Sequence, residues 1–401
     1  MKLTAFRRIA AASLLLALTS AHAARRPRYG GDLRIEIRAT PANPESLDRN
    51  IFLGAVFETL VRLDDRGVPQ PWLATSWTHD EARKRWVFTP RANVVTHNGA
   101  IWTPTPIQIA DDKPIDQILR ELARGQGAVI VRADDGTAIG TGPFRVEHWE
   151  SGKSATLVAH DAYWGGRPFL DSIRIAMGRP LRDQTVDLEL GNADVIESAL
   201  RPRGNGYVSP PSQVLVLEFD PRVPPATREA VALSIDRTAI HNVLLQKTGE
   251  ISGALLPRWL SGYAFLFSTE RNVARARQLA PGAALSFAYD RQDGVVRTIA
   301  ERIAVNASEA GLTLRPAPSP ADVRMVMLPV ASRDPRTALE EIAAQLKSPL
   351  AATSLYEAER GLLADFRVVP LFHLPEAWAM SSRVRNWPRL ADVWLDPGAK
   401  P

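Results

Sequence analysis

Hydrolysis needs a nucleophile held beside a base. The commonest sequence form of that arrangement, Gly-x-Ser-x-Gly at a strand-to-helix turn, is absent from the chain. There is no cysteine, which removes disulfides, Cys-held zinc, iron–sulfur clusters and thiol nucleophiles together. The seven histidines form neither a His-Glu-x-x-His motif nor a close His-x-His pair, so no preformed metal site is expected. Gly140-Thr141-Gly142-Pro143 and Gly125-Gln126-Gly127 match neither a P-loop nor a dinucleotide fingerprint and read as turns. No catalytic residue, no metal ligand and no cofactor follow, and nothing positive argues for an enzyme.

The elements that position side chains are of mixed type. Residues 33–37 and 86–88 read as strands. Residues 285–289 read as another, followed by Asp293 as an N-cap, apolar Val296, Ile299, Ala300 and Ile303 at helical spacing, Gly311 as a stop, and a strand at 312–315. That is a βαβ unit. A second helix is expected from Pro225 to just before Gly249, with Ala230, Val231, Ser234, Ile240, Val243 and Leu244 on one side. A third starts at Asp334-Pro335 and carries Leu339, Ile342, Ala343 and Leu346. Ser209-Pro210-Pro211 marks a boundary.

With 401 residues, 45% of them hydrophobic and 23% charged, the chain can bury large cores in two or three domains, and wholesale disorder is ruled out. The formal charge is +5. The first 23 residues hold Lys2, Arg7 and Arg8 and no acid, so the remainder carries 46 basic against 44 acidic residues, or +2. Its arginines alternate with acids, and no basic stripe with interleaved aromatics appears, so no nucleic-acid partner is expected. The basic residues 1–8, the ten-residue run 9–18 that is apolar except for Ser13, and Ala21-His22-Ala23 have the order of a cleaved secretory signal. Ten residues make about 15 Å of helix against roughly 30 Å of hydrocarbon, so a stable span is not expected there. The mature chain is expected to start near Ala24 in an extracytoplasmic space.

Several blocks then follow in a distinctive order. Near the start are Gly30-Gly31-Asp32-Leu33, Glu45-Ser46-Leu47-Asp48, Phe57-Glu58-Thr59-Leu60-Val61 and Pro71-Trp72-Leu73-Ala74-Thr75-Ser76-Trp77. Gly140-Thr141-Gly142-Pro143-Phe144, Tyr163-Trp164-Gly165-Gly166-Arg167-Pro168 and Gly191-Asn192-Ala193-Asp194-Val195 come next. Ser234-Ile235-Asp236-Arg237, Val369-Pro370-Leu371-Phe372-His373 and Ser381-Ser382-Arg383-Val384 complete the set. The chain resembles the family 5 extracellular solute-binding proteins, the peptide, dipeptide and nickel receptors of ABC importers, over nearly all of its mature length. Gly142-Pro143 as a turn and Trp164 as a cap on an apolar cluster mark the fold rather than the site.

The resemblance implies two α/β lobes hinged about crossing segments, with a ligand held between them and closure driven by its better fit to the shut state. The implied limits are a signal peptide at 1–23, a first lobe at 24–212 with 378–401, and a second lobe at 213–377. The family's extra domain is reduced here to about 51–137. The cleft-lining residues it implies are Asn43 and Glu45, Trp102, Trp259, Arg333 and His373. Aromatics would supply area and polar groups would fix orientation. Each has a plainer alternative: the tryptophans as packing residues, His373 as a satisfied core histidine, Arg333 on a solvated helix start. Where peptide-binding relatives place an aspartate for the peptide's amino group, the alignment puts Ala331, which argues against ordinary peptide recognition. The function implied is a monomeric periplasmic receptor passing a peptide-like or related small solute to an inner-membrane ABC permease. The shortened domain and Ala331 keep open a second reading, a degenerate relative that serves as a sensor or protein-binding scaffold.

Overall fold

The computed structural model describes residues 26–399 apart from 47–49, 65–67, 103, 124–128, 133–135, 199–200, 203, 264–265, 292, 331 and 351–353. The expected signal at 1–23 and the alignment at Ala331 lie outside the described residues. The main sheet takes β1 (Asp32–Glu36), β2 (Phe144–Glu150), β3 (Ser154–Ala159), β4 (Ser172–Ala176), β5 (Val195–Ser198), β6 (Gly206–Phe219), β7 (Glu250–Ile251), β8 (Ala284–Ala288), β9 (Thr313–Pro316), β10 (Val323–Pro329) and β11 (Val368–Met380). Their spatial order is β2-β3-β4-β1-β5-β11-β6-β10-β8-β9, with β7 paired to β11.

Two long antiparallel strands, β6 and β11, hold this sheet together. At 14 and 13 residues they run about 45 Å each. Their neighbours change along their length. Val195–Ser198 pairs with the Ala377–Met380 end of β11, whereas β6 pairs with β10 only from Gln213 onward. Between those regions the β6–β11 register slips on both sides of Pro211, as expected where a proline lacks the N–H that a ladder needs. Ser209-Pro210-Pro211 is therefore an irregular stretch inside a continuous crossing strand. The result is two half-sheets sharing two crossing strands, the two-lobed α/β arrangement.

Alternation along β6 sends Leu215, Leu217 and Phe219 into one core, with Phe287, Ile299 and Ile303, and sends Val214 and Val216 into another, with Leu256, Leu339 and Ile342. The first half-sheet has its own core around Leu33, Ile35, Phe57, Ile173 and Trp378. A fourth, smaller cluster of Leu60, Leu73, Phe88, Val94 and Ile118 belongs to the small domain.

The helices used below are α1 (Asn50–Val56), α2 (Leu181–Glu189), α3 (Pro225–Ser234), α4 (Gly294–Glu309), α5 (Pro335–Gln345) and α6 (Leu355–Leu363). In the βαβ unit, β8 and β9 pair in parallel. Asp293 caps α4 by accepting from the Val295 and Val296 N–H groups, and Gly311 turns at φ 76°, a conformation that suits glycine. Val296, Ile299 and Ile303 are buried, each large side chain contributing about 1.5–3 kcal/mol. Asp334 caps α5 at the Thr337 N–H.

The helix expected from Pro225 to Gly249 is instead two. Ile235 is extended at ψ 121° and ends α3, because Asp236 starts a new turn by accepting from the Ala239 N–H. Val243, expected on the buried side, is 70% exposed. Arg237 is buried, and its guanidinium donates to the Ala232 and Pro370 carbonyls at 3.3 Å. Burial without an acid partner pushes its pKa down to about 10, so this motif ties α3 to β11.

A buried carboxylate fastens the small domain to the first half-sheet. Glu58 is 2% exposed. It accepts from Thr141 Oγ1 at 2.8 Å, Tyr163 OH at 2.8 Å and Trp164 Nε1 at 2.9 Å. Burial raises its pKa even though these donors favour the charged form. Trp164 also meets Trp72 edge-on at 4.8 Å and lies under the Arg91 guanidinium at 4.0 Å, so it acts in packing. Gly140 is forced by close approach, since a Cβ there would stand 1.8 Å from the Val56 carbonyl oxygen.

Candidate functional site

The two half-sheets meet above their crossing strands in a narrow cleft. Its floor takes Arg38 from the segment after β1, Glu197 from β5, Gln213 from β6, Asp293 at the α4 N-cap, Met327 from β10 and Glu376 from β11. Arg38 spans it. Its backbone N–H and Nε both donate to Glu197 Oε2, at 2.8 and 3.0 Å, and its Nη1 donates to Asp293 Oδ2 at 2.6 Å. Burial opposes the Arg38 charge, but the two carboxylates outweigh it and hold the guanidinium pKa above its ordinary value. The cavity left in the cleft is about 60 Å³, well below the roughly 300–1,000 Å³ of small-molecule sites. In this arrangement the Arg38–Asp293 contact bridges the two lobes across the cleft floor.

Two larger, open hollows lie elsewhere. One of about 550 Å³ is bordered by Tyr207, Met380, Arg385 and Trp387, and one of about 500 Å³ by Tyr289, Arg291, Ser319 and Arg324. Among the described residues, no group of three or more His, Asp or Glu side chains is placed to hold a metal ion. No helix among them is long and apolar enough to cross a membrane.

None of the six residues expected in the cleft borders the cavity at its floor. Arg333 comes nearest to the expectation. It follows β10, and its Nη1 reaches the small domain to donate to the Asp64 carbonyl at 3.1 Å, a second contact between parts of the chain far apart in sequence. Trp259, on the turn Arg258–Ser261, is 44% exposed and donates its Nε1 to the Pro211 carbonyl at 2.8 Å, beside the crossing strand. Asn43 spends its side-chain oxygen locally, accepting from the Ser46 N–H at 2.8 Å across the turn Pro44–Ser46, on which Glu45 is half-buried. Trp102 pairs with Val94 and packs on the small domain's core.

His373 corrects the expectation most clearly. It is 2% exposed, with Nε2 3.1 Å from the Leu255 carbonyl. Burial pushes its pKa down to about 4. The ring is a satisfied core histidine within the second half-sheet, because β11 there is covered by β7 and by the 252–256 segment.

Sequence reasoning took Asp293 only as a helix cap and did not single out Arg38 or Glu197. The cap signal was sound, but a cap's second carboxylate oxygen carries no sequence mark. Asp194, in the block just before Glu197, takes both Nε and Nη2 of Arg34 and joins β1 to β5.

Two half-sheets joined by crossing strands around a polar cleft make a two-lobed α/β fold. In sequence, residues 126–321 match the family described as bacterial extracellular solute-binding proteins, family 5 Middle. A probable ABC transporter periplasmic-binding protein of Escherichia coli, SapA, is 28% identical over 158 residues, 36% of this chain and 29% of that protein. The nickel-binding periplasmic protein of the same organism is 23% identical over 282 residues, 55% of this chain and 54% of that protein. The chain thus spans from under a third to about half of these relatives' lengths.

In structure, the Helicobacter pylori periplasmic binding protein DppA in complex with a peptide superposes with a TM-score of 0.76 at 15% identity, over 92% of this chain and 98% of that one. NikA of Staphylococcus aureus, in complex with a nickel–histidine chelate, gives 0.73 at 17% identity, over 91% and 98%. The resemblance to family 5 solute-binding proteins holds in sequence and in fold.

Proposed function

We propose that the chain is the substrate-binding component of an ABC importer, taking a small peptide-like or related solute between its lobes and presenting it to an inner-membrane permease. The observation that carries this reading is the pair of crossing strands under a polar cleft whose two walls come from different lobes. Lobe limits at 24–212 with 378–401 and at 213–377 fit the change of strand partners near Gln213 and Ala377. Export through a cleaved segment at 1–23, a periplasmic setting and a monomeric state belong to the same proposal. Relatives named for periplasmic binding and peptide transport support it. Of the expected residues, Arg333 and the exposed face of Trp259 are offered for ligand contact. Trp102 and His373 serve packing, and Asn43 and Glu45 form a turn at the edge.

The test is a thermal-melt panel of peptides, metal chelates, sugars and organic acids on the mature chain, with native mass spectrometry for retained solute. A ligand at 100 times its Kd stabilises the fold by about 2.7 kcal/mol. One solute class should raise the melting temperature. The small cleft cavity favours a second reading, a sensor or scaffold without transport, and a flat panel from well-folded protein would select it.

A further inference from the structure

We propose that Arg38 is a positioning residue for lobe closure: anchored in the first lobe by Glu197, it draws the N-cap of α4 in the second lobe onto the cleft floor. Each end of the contact is seated separately. Glu197 is 7% exposed, and its own N–H donates to the side chain of fully buried Gln184 at 2.9 Å. Arg38 spends its backbone N–H and Nε on this one carboxylate, which aims the guanidinium and leaves Nη1 as the group that crosses.

Asp293 is prepared in the same way. Its Oδ1 is committed to the Val295 and Val296 N–H groups at 2.9 and 3.0 Å, and its Oδ2 is left to receive Arg38 at 2.6 Å. A planar fork held at Nε by one lobe and at Nη1 by the other fixes the distance between them, which a lysine ammonium would not do. Of the bonds that Arg38 and Asp293 make, parting the lobes breaks only Nη1–Oδ2, since the Glu197 anchor and the helix cap each stay within one lobe. The contact therefore favours the shut arrangement without stabilising either lobe. It sets how much of the solute-free protein stands shut, and so the fraction of molecules open to admit a solute.

The absence of cysteine allows two to be introduced cleanly. Leu190→Cys and Val243→Cys, both at 70% exposed positions on different lobes, can carry a donor and an acceptor dye. Energy transfer is then read on protein with no added solute, at about 0.05 M and about 1 M salt, where the screening length falls to roughly 3 Å. Arg38→Gln and Asp293→Asn should each lower the closed-to-open ratio about fivefold or more. The double variant should go no further than either single, and the salt response of the parent should vanish in all three. Asparagine still caps a helix, so Asp293→Asn separates the inter-lobe charge from α4 stability and decides the matter even if Arg38→Gln fails to fold. Unchanged transfer in a folded Asp293→Asn variant, or a double-variant shift equal to the sum of the singles, would overturn the proposal.

Discussion

Glu359 offers a demanding check on how the second lobe holds the loop that presents Trp259. The residue lies on α6 and is fully buried. One carboxylate oxygen accepts the Leu255 and Leu256 N–H groups, the latter at 2.9 Å, and the other accepts the Tyr263 hydroxyl. Leu255 and Leu256 are themselves 0% exposed, so their N–H groups have no water to fall back on. Glu359→Ala strands two buried donors at about 1–3 kcal/mol each, a loss of about 2–6 kcal/mol, while Tyr263, which is only half-buried, can turn to solvent. Glu359→Gln keeps a carbonyl oxygen for both N–H groups and sheds a charge whose burial raises the carboxyl pKa. It should cost about 1 kcal/mol or less. Urea denaturation midpoints at pH 7 give the two differences, and amide exchange at Leu255 and Leu256 should accelerate in the alanine variant alone. Equal, small losses in both variants would show that the loop does not depend on this carboxylate.

Glu58→Ala should cost about 2–5 kcal/mol in the same denaturation assay, because Thr141, Tyr163 and Trp164 lose their shared acceptor inside the protein. Gly140→Ala should lower the melting temperature sharply or abolish soluble folded protein, with overpacking of about 1–3 kcal/mol or more against the Val56 carbonyl. The pH response has a defined sign. Burial places the His97 and His373 imidazoles at about 4, below the unfolded 6.5, so their contribution is complete above 6.5 and is lost as pH falls toward 4. The raised carboxyls of Glu58 and Glu359 act in the opposite sense, their contribution declining as pH rises above 4.5. Replacing both histidines by glutamine should flatten the fall of melting temperature between pH 7 and 4, and an unchanged slope would contradict the assignment.

Local signals in this chain carried the fold well. Asp293, Asp334 and Gly311 punctuate α4, α5 and the turn before β9 where their chemistry dictates. The apolar spacing of Val296, Ile299, Ala300 and Ile303 maps onto the buried face of α4. The break at Ile235 was hidden because an apolar stripe runs on across it, and only the Asp236 cap and the Arg237 bonds to Ala232 and Pro370 show that the chain starts a new turn there. The site was less legible. His373 follows an apolar run that serves a core as readily as a cleft. Arg38, Glu197 and Asp293 are 159 and 255 residues from one another along the chain in the two bonded pairs, and no local pattern marks side chains that meet only when two lobes close.

Ligand-driven closure is the central claim, and small-angle scattering on the mature chain tests it most directly, with and without the solute that raises its melting temperature. The account predicts a smaller radius of gyration with solute, saturating with the same concentration dependence as the melting shift. A solute that stabilises the protein without changing its dimensions in the parent and in the Asp293→Asn variant would contradict capture between the lobes.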